Sequence, residues 1–141
     1  MKKIYTLSLL FSVLLFAGCS KDFLKSYDTR IVGTWRITDV NRIGFGGNTD
    51  KLPFTNGTFN FYEDGKLTYV NEANVTYQGS WNIEKRVIED ETVRRLQVSA
   101  VDFNTQQILT EFYDDITFVG TNHFKAEISS TYNTYMTHFR R

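Results

Sequence analysis

From Ile31 to Phe139 this chain places apolar residues at every second position, again and again. Successive side chains of a β-strand point to opposite faces, so a period of two is what a half-buried strand requires. Ile31, Gly33, Trp35 and Ile37 share one face of a first strand, with Thr34, Arg36 and Thr38 on the other. Phe59 and Phe61 alternate with Thr58 and Asn60 in a second. Glu63-Asp64-Gly65 is a strong hairpin turn, and Leu67 and Tyr69 mark the third strand beyond it. Val75, Tyr77, Gly79, Trp81 and Ile83 share a face of a fourth. A charged tip from Glu84 to Glu91 leads into a fifth, where Leu96, Val98 and Ala100 alternate with Arg95, Gln97 and Ser99. Thr92 and Val93 make a hairpin there a better reading than a helix. Residues 107–118 form a sixth strand, and Val119-Gly120-Thr121-Asn122 turns the chain. Phe124, Ala126 and Ile128 mark a seventh, and Tyr135, Thr137 and Phe139 an eighth. Strands this short, joined mostly by tight turns, predict an all-β antiparallel meander. Closing it into an eight-stranded up-and-down barrel removes the edges that would otherwise invite aggregation.

One connection is long. Residues 41–56 follow the first strand and contain Gly44, Gly46 and Gly47. Ile43, Phe45, Leu52 and Phe54 are apolar within it, so the loop is expected to fold back over something apolar. It is either a plug for one barrel end or a lid over an entrance.

Before the domain lies a different kind of sequence. Lys2 and Lys3 precede an apolar run from Ile4 to Phe16. Thirteen helical residues rise only about 20 Å, short of a hydrocarbon core of about 30 Å. A cleaved signal therefore fits better than a membrane span. Leu15-Phe16-Ala17-Gly18-Cys19 resembles the lipobox of bacterial lipoproteins. That resemblance implies cleavage before Cys19, lipid on its sulfur and amine, and a chain held on a membrane by more than one acyl chain. It also accounts for a lone cysteine in an exported protein. Ser20 differs from the Asp that usually marks inner-membrane retention, so the expected home is the outer membrane of the cell envelope. Which face of that membrane stays open. The expected organisation is a signal peptide over residues 1–18, lipidated Cys19 with a tether to residue 29 and room for one helical turn, and one domain over 30–141.

Removing Lys2 and Lys3 leaves 14 basic residues against 16 acidic, a formal charge of −2. Without a basic stripe, nucleic acid is a poor partner. His123 and His138 are the only histidines, and both read as structural or solvated. With no Cys pair and no His-x-x-x-His spacing, a zinc site is unsupported, and no cofactor is expected. Asp114-Asp115 and Glu89-Asp90-Glu91 suit solvated strand edges or hairpin tips. Gly44-Phe45-Gly46-Gly47 sits in a β-type loop rather than before a helix, so it is no phosphate cradle. The sequons at Asn56 and Asn74 carry no meaning in a bacterial lipoprotein. The chain reads as non-enzymatic.

Gly33-Thr34-Trp35 on the first strand resembles the Gly-x-Trp motif of lipocalins, and the long first loop matches the lid-like loop of that family. Phe61-Tyr62-Glu63-Asp64-Gly65-Lys66-Leu67 and Tyr77-Gln78-Gly79-Ser80-Trp81-Asn82-Ile83 resemble small lipocalin-like bacterial lipoproteins, a likeness covering roughly residues 30–141. The chain is shorter than most lipocalins and shows no C-terminal helix. The resemblance implies a calycin-type barrel closed by Gly33, Trp35 and a basic side chain from Arg140 or Arg141, with Arg140 assigned. Its implied function is binding a small hydrophobic molecule in the envelope. Phe45, Phe54, Phe59, Phe61, Tyr69, Tyr77 and Trp81 are the candidate lining residues. An eight-stranded interior is just wide enough to be filled or to hold one small ligand. The alternative is a filled barrel that docks an envelope protein. A third reading, an enzyme, requires His138, Asp114 or Glu111 to cluster inside a cavity.

Overall fold

A computed structural model describes residues 25–44, 52–131 and 133–141. Cys19, the residues 15–18 before it and Phe45 lie outside the described residues. Helix α1 (Tyr27–Ile31) precedes β1 (Gly33–Ile43), β2 (Thr58–Phe61), β3 (Lys66–Val70), β4 (Thr76–Ile88), β5 (Glu91–Asp102), β6 (Gln107–Phe118), β7 (His123–Ser129) and β8 (Thr134–Arg140). Each strand pairs antiparallel with the next, and β8 returns to β1, which makes a closed up-and-down barrel. No helix among the described residues is long and apolar enough to cross a membrane.

The antiparallel path defines two ends. The base holds α1, the start of β1 and the turns after β2, β4 and β6. The mouth holds the long β1–β2 connection and the turns after β3, β5 and β7.

Three expectations need correction. Ile31 does not open the first strand; it ends α1, because the Ser26 hydroxyl caps that turn by accepting from the Thr29 amide. The run from Glu84 to Glu91 is not a loop-like tip. β4 continues to Ile88 and β5 begins at Glu91, joined by Glu89 and Asp90 alone. Both turn residues have positive φ, at 48° and 66°, as a two-residue hairpin turn with matching twist demands. Finally, β1 runs on to Ile43, past the expected start of the long loop. It does so across a register shift between Ile37 and Asp39 that lets it keep pairing with β8.

The inward face is filled by aromatic rings. Near the base Trp35 meets Phe124 edge-on at 4.7 Å, and Phe61 meets Trp81 at 5.7 Å. Phe124 stacks on Phe139 at 4.2 Å in the middle. Toward the mouth Phe54 meets Phe59 at 5.3 Å and Tyr69 at 4.8 Å. Such crowding needs room between strands. Gly79 supplies it, since a Cβ there would stand 1.8 Å from the Ser99 carbonyl oxygen of β5.

Candidate functional site

The base is a closure. Gly33, at φ +122°, brings the chain from α1 into β1 in a conformation that other residues rarely adopt. Trp35, two residues on, is wholly buried, and its indole N–H donates to the Ile31 carbonyl at 2.6 Å. A guanidinium lies 4.3 Å from the Trp35 ring, and it belongs to Arg141 rather than Arg140. The physical reason is strand parity. Tyr135, Thr137 and Phe139 face inward, so Arg140 faces out, where it pairs in register with Arg36 and His123. Arg141 comes round to the base and donates through Nη2 to the carbonyls of Arg30 at 2.7 Å and Val32 at 2.6 Å. It thereby ties the chain's end to α1. Arg30 lies 4.2 Å over the Phe118 ring and donates to the Gly120 carbonyl at 3.0 Å.

The expected lining residues that are described do come together, but as packing. Phe54 and Phe59 are 0% exposed, Phe61 and Tyr69 2%. Tyr77 and Trp81 are also buried. Phe54 and Phe59, with no accessible surface, border no space that a ligand could enter. The other rings' polar ends are tied off as well. The Tyr69 hydroxyl donates to the Asn56 carbonyl at 2.7 Å, Tyr77 to Gln107 Oε1 at 2.8 Å, and the Trp81 indole to the Tyr62 carbonyl at 3.0 Å. Burial, with Tyr77 and Glu72 adding to it, pushes the Tyr69 phenol up to about 12.

The β6 and β8 walls differ. The Tyr113 hydroxyl and Thr137 Oγ1 are buried and have no hydrogen-bond partner among the described residues. Tyr113 is 0% exposed and its ring lies 5.3 Å from that of Phe139. Burial holds its phenol well above its usual range, with Glu111 and Tyr69 adding to the effect. Glu111 shares the inward face, since it pairs with buried Val98. Burial raises its carboxyl, Asp114 raises it further, and a hydrogen bond from the Phe112 amide at 2.9 Å opposes the rise. Pairing also puts Val40 opposite Thr137 and Arg42 opposite Tyr135, so these four share a face running up to the rim.

Thr137 was already on an inward face in the sequence. Tyr113 and Glu111 were harder to place, because a register shift between Asp114 and Thr117 breaks the parity of β6. His138, Asp114 and Glu111 do not cluster inside a cavity. Glu111 faces in. Asp114 is held outside by Arg95 Nε at 2.5 Å. His138 is also outside, with its Nδ1 3.2 Å from His123 Nε2. Burial, His138, Arg140 and Lys125 together lower the His123 imidazole. No group of three or more His, Cys, Asp or Glu that could hold a metal occurs among the described residues.

A closed eight-stranded barrel is compatible with a lipocalin-like binding domain. No protein-family model matches the sequence, and no curated protein or solved structure matches it either.

Proposed function

We propose that the protein is a lipid-anchored, non-enzymatic module of the cell envelope, held through Cys19 in the outer membrane. Its lipocalin-like barrel binds a small, mainly apolar molecule bearing one hydrogen-bonding group. The observation that carries this reading is the pair of buried, unpartnered hydroxyls on Tyr113 and Thr137. Each costs about 1–3 kcal/mol when left unpaired, and Phe or Val would fill the same volume without that cost. The Tyr113 hydroxyl, near inward Glu111, and the Thr137 hydroxyl on β8 suit recognition of polarity on a ligand that is otherwise held by rings.

The interior is occupied, so binding requires displacement. Phe54 is the side chain to move. It comes from the long β1–β2 connection, not from a strand, and it packs against Phe59 and Tyr69 at the mouth. A binding-competent state that is only partly populated lowers apparent affinity in proportion.

Native mass spectrometry of the protein gently released from the host envelope tests this reading. A bound small molecule that is lost on denaturation, and lost from Tyr113→Phe, supports it; a clean apo mass overturns it. The anchor is tested apart, by fatty-acid labelling that Cys19→Ala abolishes.

One observation favours a second reading, a filled barrel that docks an envelope protein. Phe103 and Ile108 are each 70% exposed, and Phe112 is 42% exposed on the same outer wall. Crosslinking in intact cells that captures a partner through this wall, from protein with an apo mass, would favour it.

A further inference from the structure

The base of the barrel contains a small recess of about 80 Å³, lined by Lys25, Thr29, Arg30, Val32, Phe118, Thr121 and Arg141. Three of the seven are cations, two carry hydroxyls, and none is Asp or Glu. One water needs only about 10–15 Å³ measured this way, so the recess has room for a phosphate-sized group. Its arginines are already oriented. Arg30 is set by Phe118 and the Gly120 carbonyl, and Arg141 by Trp35 and the carbonyls of Arg30 and Val32. A guanidinium held in place loses less freedom when it meets a phosphate, and its planar fork matches phosphate oxygens.

The surroundings add to this charge. Arg36, Arg140 and His123 form one register row across β1, β8 and β7 at the base, with Lys125 in the next row beside His138. The Arg141 amide donates to the Asn122 carbonyl at 3.1 Å, which joins that wall to the recess. Asp39 is the acid within this patch, since it pairs with His138. Asp28 and Glu63 line an adjoining recess with Trp81, across Thr29 and Val32, which border both.

Position supplies the partner. Five residues lie between Cys19 and Lys25, and the six chain steps reach at most about 20 Å when extended. A lipid on Cys19 therefore holds the base, not the mouth, against the membrane.

We infer that the basal recess seats the phosphate of an anionic lipid headgroup, so that the barrel docks base-down with its mouth turned away from the membrane. This rests on the anchor reading only for the place of the membrane. Net charge cannot supply the attraction, because the chain after residue 18 carries a formal −2. The seat must do so locally.

The test uses the chain from residue 20, which lacks the lipid, so failure of the anchor and failure of the seat are read separately. It is sedimented with vesicles of phosphatidylglycerol and phosphatidylcholine, or of phosphatidylcholine alone. Binding is expected to the first and not to the second, with inorganic phosphate competing. Lys25→Gln with Arg30→Gln removes two cations near an anionic surface and should weaken binding about thirtyfold. Circular dichroism checks that this variant keeps its barrel. Asn71→Asp with Asn74→Asp, in the turn after β3 at the mouth, lowers the charge by the same two units and should change binding by less than about threefold. Equal losses in the two variants would overturn the seat, as would equal binding to both vesicles. Binding of inorganic phosphate without binding to either vesicle would overturn the lipid assignment.

Discussion

At the base Trp35 is wholly buried, its indole N–H is on the Ile31 carbonyl, and Arg141 covers its ring. Toward the mouth Tyr113 and Thr137 are buried as deeply, yet their hydroxyls meet no partner. Depth of burial is the same in the two regions; what differs is whether polarity is answered. A buried polar group that is answered stabilises a fold modestly, and one that is not costs the fold its desolvation. The base therefore behaves as a closure built for stability. The β6 and β8 walls of the mouth carry groups that stability alone would have replaced.

Trp35→Ala should break the closure most severely. It removes a ring that packs against Phe124, and the expected loss is about 3–5 kcal/mol in denaturant unfolding. Arg141→Ala follows, at about 1–2 kcal/mol, because it forfeits an exposed cation–π contact together with two hydrogen bonds to carbonyls. Arg140→Ala, on the outer face, should stay within about 0.5 kcal/mol. Equal effects from the two arginines would undo the assignment of Arg141 to the base.

In the mouth the sign reverses. Tyr113→Phe and Thr137→Val should each stabilise by about 1 kcal/mol, because each removes an unanswered hydroxyl while nearly keeping its shape. Chemical denaturation of the ligand-free protein reads this directly. A loss of stability in both variants would mean that the hydroxyls are satisfied, and the contrast between base and mouth would disappear.

Much of the barrel was legible because the strand period is local. Phe59 and Phe61, or Phe124, Ala126 and Ile128, need no tertiary information to be assigned a face. What escaped was set by partners. The charged run after Glu84 reads as a tip, but Glu84 pairs with Arg95 and Arg86 with Val93, and cross-strand pairing carries both strands outward to Glu89-Asp90. Ile31 fits the alternation of β1 perfectly and is helical all the same, because a cap at Ser26 wins over one more strand residue. Arg141 was within reach, since the inward parity of Tyr135, Thr137 and Phe139 already turns Arg140 away. Phe54, Phe59, Phe61, Tyr69, Tyr77 and Trp81 are buried, but sequence gives side-chain volume without the space around it. Whether rings line a cavity or fill it depends on contacts such as Phe54 on Tyr69, which no local pattern encodes.

Glu111→Gln makes the smallest change and tests the mouth by titration. Burial lifts the folded carboxyl above its ordinary value of 4.5. As pH rises through the interval between those two values, the unfolded chain has released its proton while the folded chain still holds one. Stability therefore falls across that interval and levels off above the raised value. Gln cannot titrate, so the variant should melt higher than the wild type at pH 7, and the gap should close below about pH 4. A gap that persists in acid would make Glu111 a packing residue whose charge is of no consequence. A gap that opens with pH would put an ionisable group on the same wall as the unanswered Tyr113 hydroxyl. The base carries a shifted group of its own, His123, but its imidazole is lowered, so it costs stability as pH falls below 6.5 and cannot mimic a gap that opens as pH rises.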